Sequence, residues 1–215
     1  NRQQYDALTV APKADPRGFA YCASCHDSTG VSGNPHIPRL DILSQEYMTR
    51  ALAAYRSGAR DSGIMEHAAS EVPIADLPGF AAMFAAKEPR GDAQPLTSLG
   101  IVGRRIAMEG GPGGDVPACA ACHGEHLTGV QPNTPGLIGL PRQYIMAQLG
   151  AWQVGTRHAA APDCMAKITQ RLNGRDVEAV AAWLAAQPIP EDTRPVANAV
   201  VDPPLECGSV PAPES

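Results

Sequence analysis

Apolar side chains recur at every third or fourth position in four stretches of the chain. Met48, Ala51, Leu52 and Tyr55 stand at i, i+3, i+4 and i+7, a spacing that predicts a helix with one buried face. Leu77, Phe80, Ala81 and Phe84 form a second stripe. Ile145, Leu149 and Trp152, followed by Val177, Val180, Ala181 and Leu184, form two more. Asn173 with Asp176 three residues on marks a helix start. Pro89 and Pro188 close the second and fourth stripes, because proline cannot continue a helix. No stretch alternates with a period of two. The pattern predicts an all-α protein.

The stripes belong to an internal repeat. Displacing the chain by 97 residues sets Cys22, Cys25 and His26 over Cys119, Cys122 and His123. The match runs on through Pro35, Pro38, Leu40 and Leu43, which meet Pro132, Pro135, Leu137 and Leu140. Tyr47, Leu52, Gly58 and Arg60 then meet Tyr144, Leu149, Gly155 and Arg157. Beyond that point the displacement becomes 100, so that Met65 meets Met165 and AAMFAA meets AAWLAA. Two copies are too few for a solenoid, which leaves tandem domains. Their expected bounds are 1–90 and 99–187, with a linker at 91–98 inside the polar run KEPRGDAQPLTS and a tail at 188–215. The second copy adds GRRIAMEGGPGGDVPA before its cysteines, which predicts a short helix from about Gly103 and a glycine-rich loop. The first copy has only DPRGFAY there, so its opening helix is expected to be shorter or displaced. The proline-rich tail is expected to lie extended across the surface.

Composition sharpens this picture. Aromatic residues make up 5% of the chain, against 21 Gly and 21 Pro. Domains of that size with so few large side chains lack the material for a core, so something else is expected to fill the middle. A net charge of −5 and a pI near 5.6 leave no basic stripe and argue against a nucleic-acid partner. No run of 18 apolar residues exists to span a membrane, which leaves room only for peripheral association. The opening NRQQYDALTV has neither the basic start nor the apolar stretch of a leader.

The repeated cysteines carry the chemistry. Cys-x-x-Cys alone suits a redox dithiol, half a zinc site or an iron–sulfur set; an appended His narrows it to c-type haem attachment. In that chemistry two thiols add across the haem vinyl groups and the adjacent imidazole ligates iron. Two in-register copies, CASCH (22–26) and CAACH (119–123), predict two covalently bound haem c groups. Cys22, Cys25, Cys119 and Cys122 would make the thioethers, and His26 and His123 the iron bonds. Zinc would need four ligands per site, and no second Cys/His pair recurs. For the other axial position Met65 and Met165 are the aligned pair, 39 and 42 residues after their histidines. His67 is a rival in the first copy without a counterpart in the second. His36, His126 and His158 are also unmatched and are expected in loops, while Met48, Met83, Met108 and Met146 are expected to pack.

GRRIAMEGGPGGDVPACAACHG, PGLIGLPRQYIMAQLGAWQVGTR and the Met followed by a final helix resemble a class I cytochrome c domain. The doubled arrangement, over about residues 15–188, resembles the dihaem cytochromes of the c4 type and the cytochrome subunits of dehydrogenases. The resemblance implies a few helices wrapped around each haem. It also implies that Pro38 and Pro135, each opening a Pro-x-Leu segment, offer their carbonyls to the haem-ligating histidines, fixing ring orientation. The implied role is electron transfer rather than catalysis, with a respiratory complex or a dehydrogenase as redox partner. The implied compartment is the periplasm, the leader having been removed. Asp27 stands where the family usually has Gly. The competing reading is a dihaem enzyme, of peroxidase or thiosulfate dehydrogenase type, with one labile or Cys-ligated haem.

Four haem-bound cysteines leave Cys164 and Cys207. In an oxidising compartment the expectation is a disulfide that ties the tail beside the second haem. The alternatives are a Cys164 thiolate on iron and two free thiols.

Overall fold

The computed structural model describes residues 16–91, 93–111, 113–197 and 203–210. The opening stretch read above for a leader, and both ends of the expected domain bounds, fall outside the described residues. In the first half, α1 (Pro16–His26) is followed by α2 (Gln45–Arg56), α3 (Gly63–Ser70), a turn of 3-10 helix at Ile74–Asp76 and α4 (Leu77–Ala85). The second half runs α5 (Ser98–Glu109), α6 (Ala120–His123), strands β1 (Gly129–Val130) and β2 (Thr134–Pro135), α7 (Arg142–Gln153), α8 (Cys164–Thr169) and α9 (Gly174–Ala185). The architecture is all-α. The two strands, each two residues long, form an antiparallel pair that period-two patterning is too short to reveal.

Local chemistry accounts for the helix bounds. Ser44, Thr97 and Asp163 cap α2, α5 and α8 by accepting backbone N–H groups of the first turn. Asn173 and Asp176 close a reciprocal capping box at α9, as the sequence predicts. Each apolar stripe faces inward: Leu77, Phe80, Ala81 and Phe84 are buried on α4, as are Val177, Val180, Ala181 and Leu184 on α9. The stretch of the first copy that would match α5, residues 1–12, lies outside the described residues; α1 matches residues 113–123 in the repeat and runs unbroken into Cys22–His26. The second copy instead interposes its glycine-rich loop before α6. That helix α5 also begins at Ser98, five residues ahead of the expected Gly103, because Thr97 supplies the cap.

Helices α5 and α9 cross at Gly103, where a Cβ would lie 1.9 Å from the Ala179 carbonyl oxygen. Only glycine allows that approach. In the first half Phe19 on α1 stacks against Phe84 on α4, with centroids 5.0 Å apart. A buried ion pair secures the following loop: Arg39 Nε donates to Asp41 Oδ1 at 2.7 Å and Nη2 to Oδ2 at 2.5 Å. Arg39 Nη2 also donates to the Arg90 carbonyl, and the Arg90 N–H to Asp41, so the pair anchors the start of the linker.

The halves meet around Arg60 and Arg157, which form an antiparallel bridge. The Asp61 N–H donates to the Thr156 carbonyl at 2.9 Å and the His158 N–H to the Ala59 carbonyl at 2.8 Å. Beyond α9 the described tail residues form no helix, and they return over the second half. Val196 bridges Val130, and Cys207 is joined to Cys164 by a disulfide. No helix among the described residues is long and apolar enough to cross a membrane.

Candidate metal centres

Cys22, Cys25 and His26 occupy the last turn of α1, so Cys22 and His26, four residues apart, share one helix face. His26 is buried and its Nδ1 lies 3.0 Å from the Pro38 carbonyl oxygen. A carbonyl only accepts, so Nδ1 carries the proton and Nε2 keeps a free lone pair. Burial lowers the pKa of His26, an effect the Pro38 carbonyl partly offsets, and the neutral, ligating form is favoured. In the second half Cys119 precedes α6, Cys122 and His123 lie within it, and buried His123 has Nδ1 2.8 Å from the Pro135 carbonyl. Its pKa too is lowered by burial, opposed by the Pro135 carbonyl and reinforced by Arg157. Pro38 and Pro135 thus stand in the same relation to their histidines.

The thiols are not arranged as reactive thiolates. Burial raises the pKa of Cys22 and Cys122, and pushes Cys119 up to about 11. Among the described residues no group of three or more His, Cys, Asp and Glu is placed to hold a metal ion by itself.

One cleft, partly open to solvent, touches Cys22, His26, Leu43, Met65, Phe80 and Phe84. It is walled mainly by apolar side chains, as a site for a largely apolar cofactor would be. Met65, half-buried in the first turn of α3, lines it. His67 does not: it is exposed. Met165 holds the corresponding place at the start of α8 and is half-buried. His36, His126 and His158 are exposed, Met48 is buried, and Met83, Met108 and Met146 pack against the core.

Four side chains at the boundary between the halves belong to the site as well. Arg60, 4% exposed, also lines the cleft, and no carboxylate pairs with it among the described residues. It donates to Tyr144 Oη at 2.6 Å and to Gln148 Oε1. Arg157 reaches the other way, to Tyr47 Oη at 3.3 Å, and stacks on Trp152. Burial works against the charge of Arg60, but the phenol oxygens of Tyr144, Tyr47 and Tyr55 outweigh it and hold the guanidinium protonated. Trp152 Nε1 is buried and has no hydrogen-bond partner among the described residues. A cofactor that is apolar over most of its surface and carries carboxylates would satisfy both the walls and these donors. The two thiols, the free Nε2, the apolar cleft and the unpaired cation therefore fit haem c. Tyr47, Arg60, Tyr144 and Arg157 were visible as in-register repeats, yet side-chain type alone does not reveal that each arginine crosses to the other copy's tyrosine.

The backbone after each histidine turns through the left-handed region. Gly124 does so in the second copy at φ 86°; in the first Asp27 does so at φ 63°. Its carboxylate accepts from the Thr29 N–H and Oγ1, both at 2.8 Å, a local bond that makes the conformation tolerable for a residue with a Cβ.

No family model matches the chain. A thiosulfate dehydrogenase electron acceptor of Thiomonas intermedia (strain K12) is 34% identical to it over 180 residues, 82% of each chain. The Acidithiobacillus ferrooxidans cytochrome c4 structure superposes with a TM-score of 0.69 at 28% identity, covering 78% of this chain and 99% of that one. The chain belongs to the cytochrome c4-like class I cytochromes. The structure of a thiosulfate dehydrogenase, TsdBA, from Marichromatium purpuratum also superposes, with a TM-score of 0.73 at 30% identity over 85% of this chain. This cytochrome spans 40% of that chain. As a member of the family it carries covalently bound haem c and transfers electrons with a redox partner; it is an electron carrier rather than an enzyme.

Proposed function

We propose that this cytochrome is a periplasmic dihaem carrier that accepts electrons from a thiosulfate-oxidising dehydrogenase, as a bound subunit or a docked partner, and passes them to the respiratory chain. In this reading domains 1–90 and 99–187 each hold one haem, with 91–98 as linker and 188–215 as tail. Cys22, Cys25 and His26 hold the first with Met65, and Cys119, Cys122 and His123 hold the second with Met165. Haem c, when bound, supplies an iron that exchanges one electron between its ferric and ferrous forms.

The chain's own residues do the rest. Pro38 and Pro135 fix the imidazole rings and raise their basicity through Nδ1. Leu43, Phe80 and Phe84 exclude water from the first site, and buried Arg60 offsets negative charge there. An iron held by both a histidine and a methionine would have no coordination position left for a substrate, which suits a carrier. The observation that carries this reading is the single cleft shared by Cys22, His26 and Met65. The name of the Thiomonas relative, and of a second in Stutzerimonas stutzeri that is 33% identical, supports the partner. A Cys164 thiolate on iron has no support, because Cys164 is disulfide-bonded. That disulfide and the thioether chemistry both suit an oxidising compartment.

Two measurements test the proposal. Intact mass should show two haem adducts, and Met65→Ala and Met165→Ala should each remove half of the long-wavelength absorption that marks methionine sulfur on oxidised haem iron. Thiosulfate with a purified thiosulfate dehydrogenase should reduce both haems, whereas thiosulfate alone should not. A single adduct, or no reduction by the complete mixture, would refute it.

A further inference from the structure

The repeat sets Ile64 against Cys164, each one residue ahead of the methionine proposed as axial ligand. Ile64 is 77% exposed and nothing covers it among the described residues. Cys164 is 9% exposed and bonded to Cys207, 43 residues further on. We propose that the tail is a positioning strap, anchored by this disulfide, that holds Met165 at the second site. The inference rests on the reading of Met165 as a ligand given above.

The tail grips both sides of that site. On the histidine side Val196 inserts beside β1: its N–H donates to the Gly129 carbonyl at 3.0 Å, and its carbonyl accepts from the Gln131 N–H at 3.0 Å. Asn133 Nδ2 donates to the Ser209 carbonyl at 2.7 Å, two residues from the Pro135 whose carbonyl orients His123. On the methionine side the Gly208 N–H donates to the Pro162 carbonyl at 3.0 Å, and the disulfide fixes Cys164 at the first residue of α8. Gly208 lies so close to the 160–162 loop that a Cβ there would be 2.1 Å from the Ala161 carbonyl oxygen. One segment thereby sets the distance between the loop that orients the imidazole and the loop that presents the sulfur. A weak thioether bond to iron depends on that distance more than a covalently tethered histidine does. Among the described residues the first half has no such strap, so its methionine is the more easily displaced of the two in the native chain.

The test uses the oxidised full-length protein with Cys164→Ser and Cys207→Ser together, and separately with Gly208→Ala, which keeps the disulfide but lifts the tail from the loop. Cyanide association, the methionine–iron absorption and hydrogen exchange of the 159–166 amides are measured, with Met165→Ala alongside. The double variant should bind cyanide at the second haem about 10-fold faster than the native chain, on the scale by which losing an orienting partner weakens a metal site. Gly208→Ala should shift the rate in the same direction by a smaller factor, with haem content unchanged. Should the double variant lose its haem, the Gly208→Ala result decides. Native cyanide rates and full absorption in the folded variants, with half the absorption lost in Met165→Ala, would overturn the strap while leaving the ligand reading intact. Full absorption in Met165→Ala would remove the ligand reading and the strap with it.

Discussion

The two halves of this cytochrome present the same Cys, Cys, His and proline carbonyl, yet they are tied together by different means. The first half buries the Arg39–Asp41 pair and uses it to hold the linker through Arg90. At the matching positions the second half has Gly136 and Ile138, which can carry no such pair. It is fastened instead by a tail and a disulfide. Chemistry at the site therefore constrains the residues that touch the cofactor, while the loops that carry them can be secured by a charge pair or by a covalent bond.

The largest expected effect tests the charged half of that contrast. Asp41→Ala leaves Arg39 buried without its carboxylate and should destabilise the protein by about 3–5 kcal/mol. Arg39→Met combined with Asp41→Ile should recover most of the loss, since an apolar pair leaves no buried charge behind. Guanidinium unfolding followed by far-ultraviolet circular dichroism measures both. If Asp41→Ala costs no more than a surface substitution, the pair is not what secures the first half.

A smaller effect separates the two helix crossings. Gly103→Ala would set a Cβ against the Ala179 backbone at 1.9 Å, which cannot yield without parting α5 from α9, and should cost about 1–3 kcal/mol. Gly18→Ala would meet the tip of the Phe80 ring at 2.4 Å, a side-chain contact that can give more than the backbone contact at Gly103. The better helix propensity of alanine should offset much of that contact, leaving a change of less than about 1 kcal/mol. Thermal melts of the two variants give the order directly. Equal costs would mean that the first crossing is as tight as the second.

Much of this was legible in the sequence, for definite reasons. The stripe of Val177, Val180, Ala181 and Leu184 and the Asn173–Asp176 capping box are local, and local signals survive translation into structure. The Cys-x-x-Cys-His spacing is a chemical constraint on adjacent residues. The repeat singled out Met65 over His67, and only Met65 lines the cleft. What escaped depends on distant contacts: the crossing of Arg60 to Tyr144 and of Arg157 to Tyr47, and the Arg39–Asp41–Arg90 anchor. The bounds of α1 escaped because DPRGFAY has too few apolar positions to show a period, while its helix is held by Phe19 against Phe84. The short β1–β2 pair escaped because two residues per strand cannot display alternation.

The smallest effect sharpens the comparison most, because stability and ligation should move in opposite orders. Asp163 caps α8 firmly, accepting from the Ala166 N–H at 3.0 Å and the Ala159 N–H at 2.7 Å. Ser62 caps α3 by a longer bond, accepting from the Met65 N–H at 3.4 Å, with Glu66 accepting from the Ser62 N–H in return. Asp163→Ala should therefore cost about 1–2 kcal/mol and Ser62→Ala about 0.5 kcal/mol, both read from thermal melts. Cyanide association should rank them the other way. After Asp163→Ala the disulfide still pins the residue before Met165, so the proposed bond of Met165 to iron should hold. After Ser62→Ala nothing covalent restrains the turn that carries Met65, so the variant that loses less stability should be the one that opens its iron. If the rates instead follow the stabilities, the two methionines are held alike, and the contrast between a strapped and an unstrapped site has no consequence for ligation.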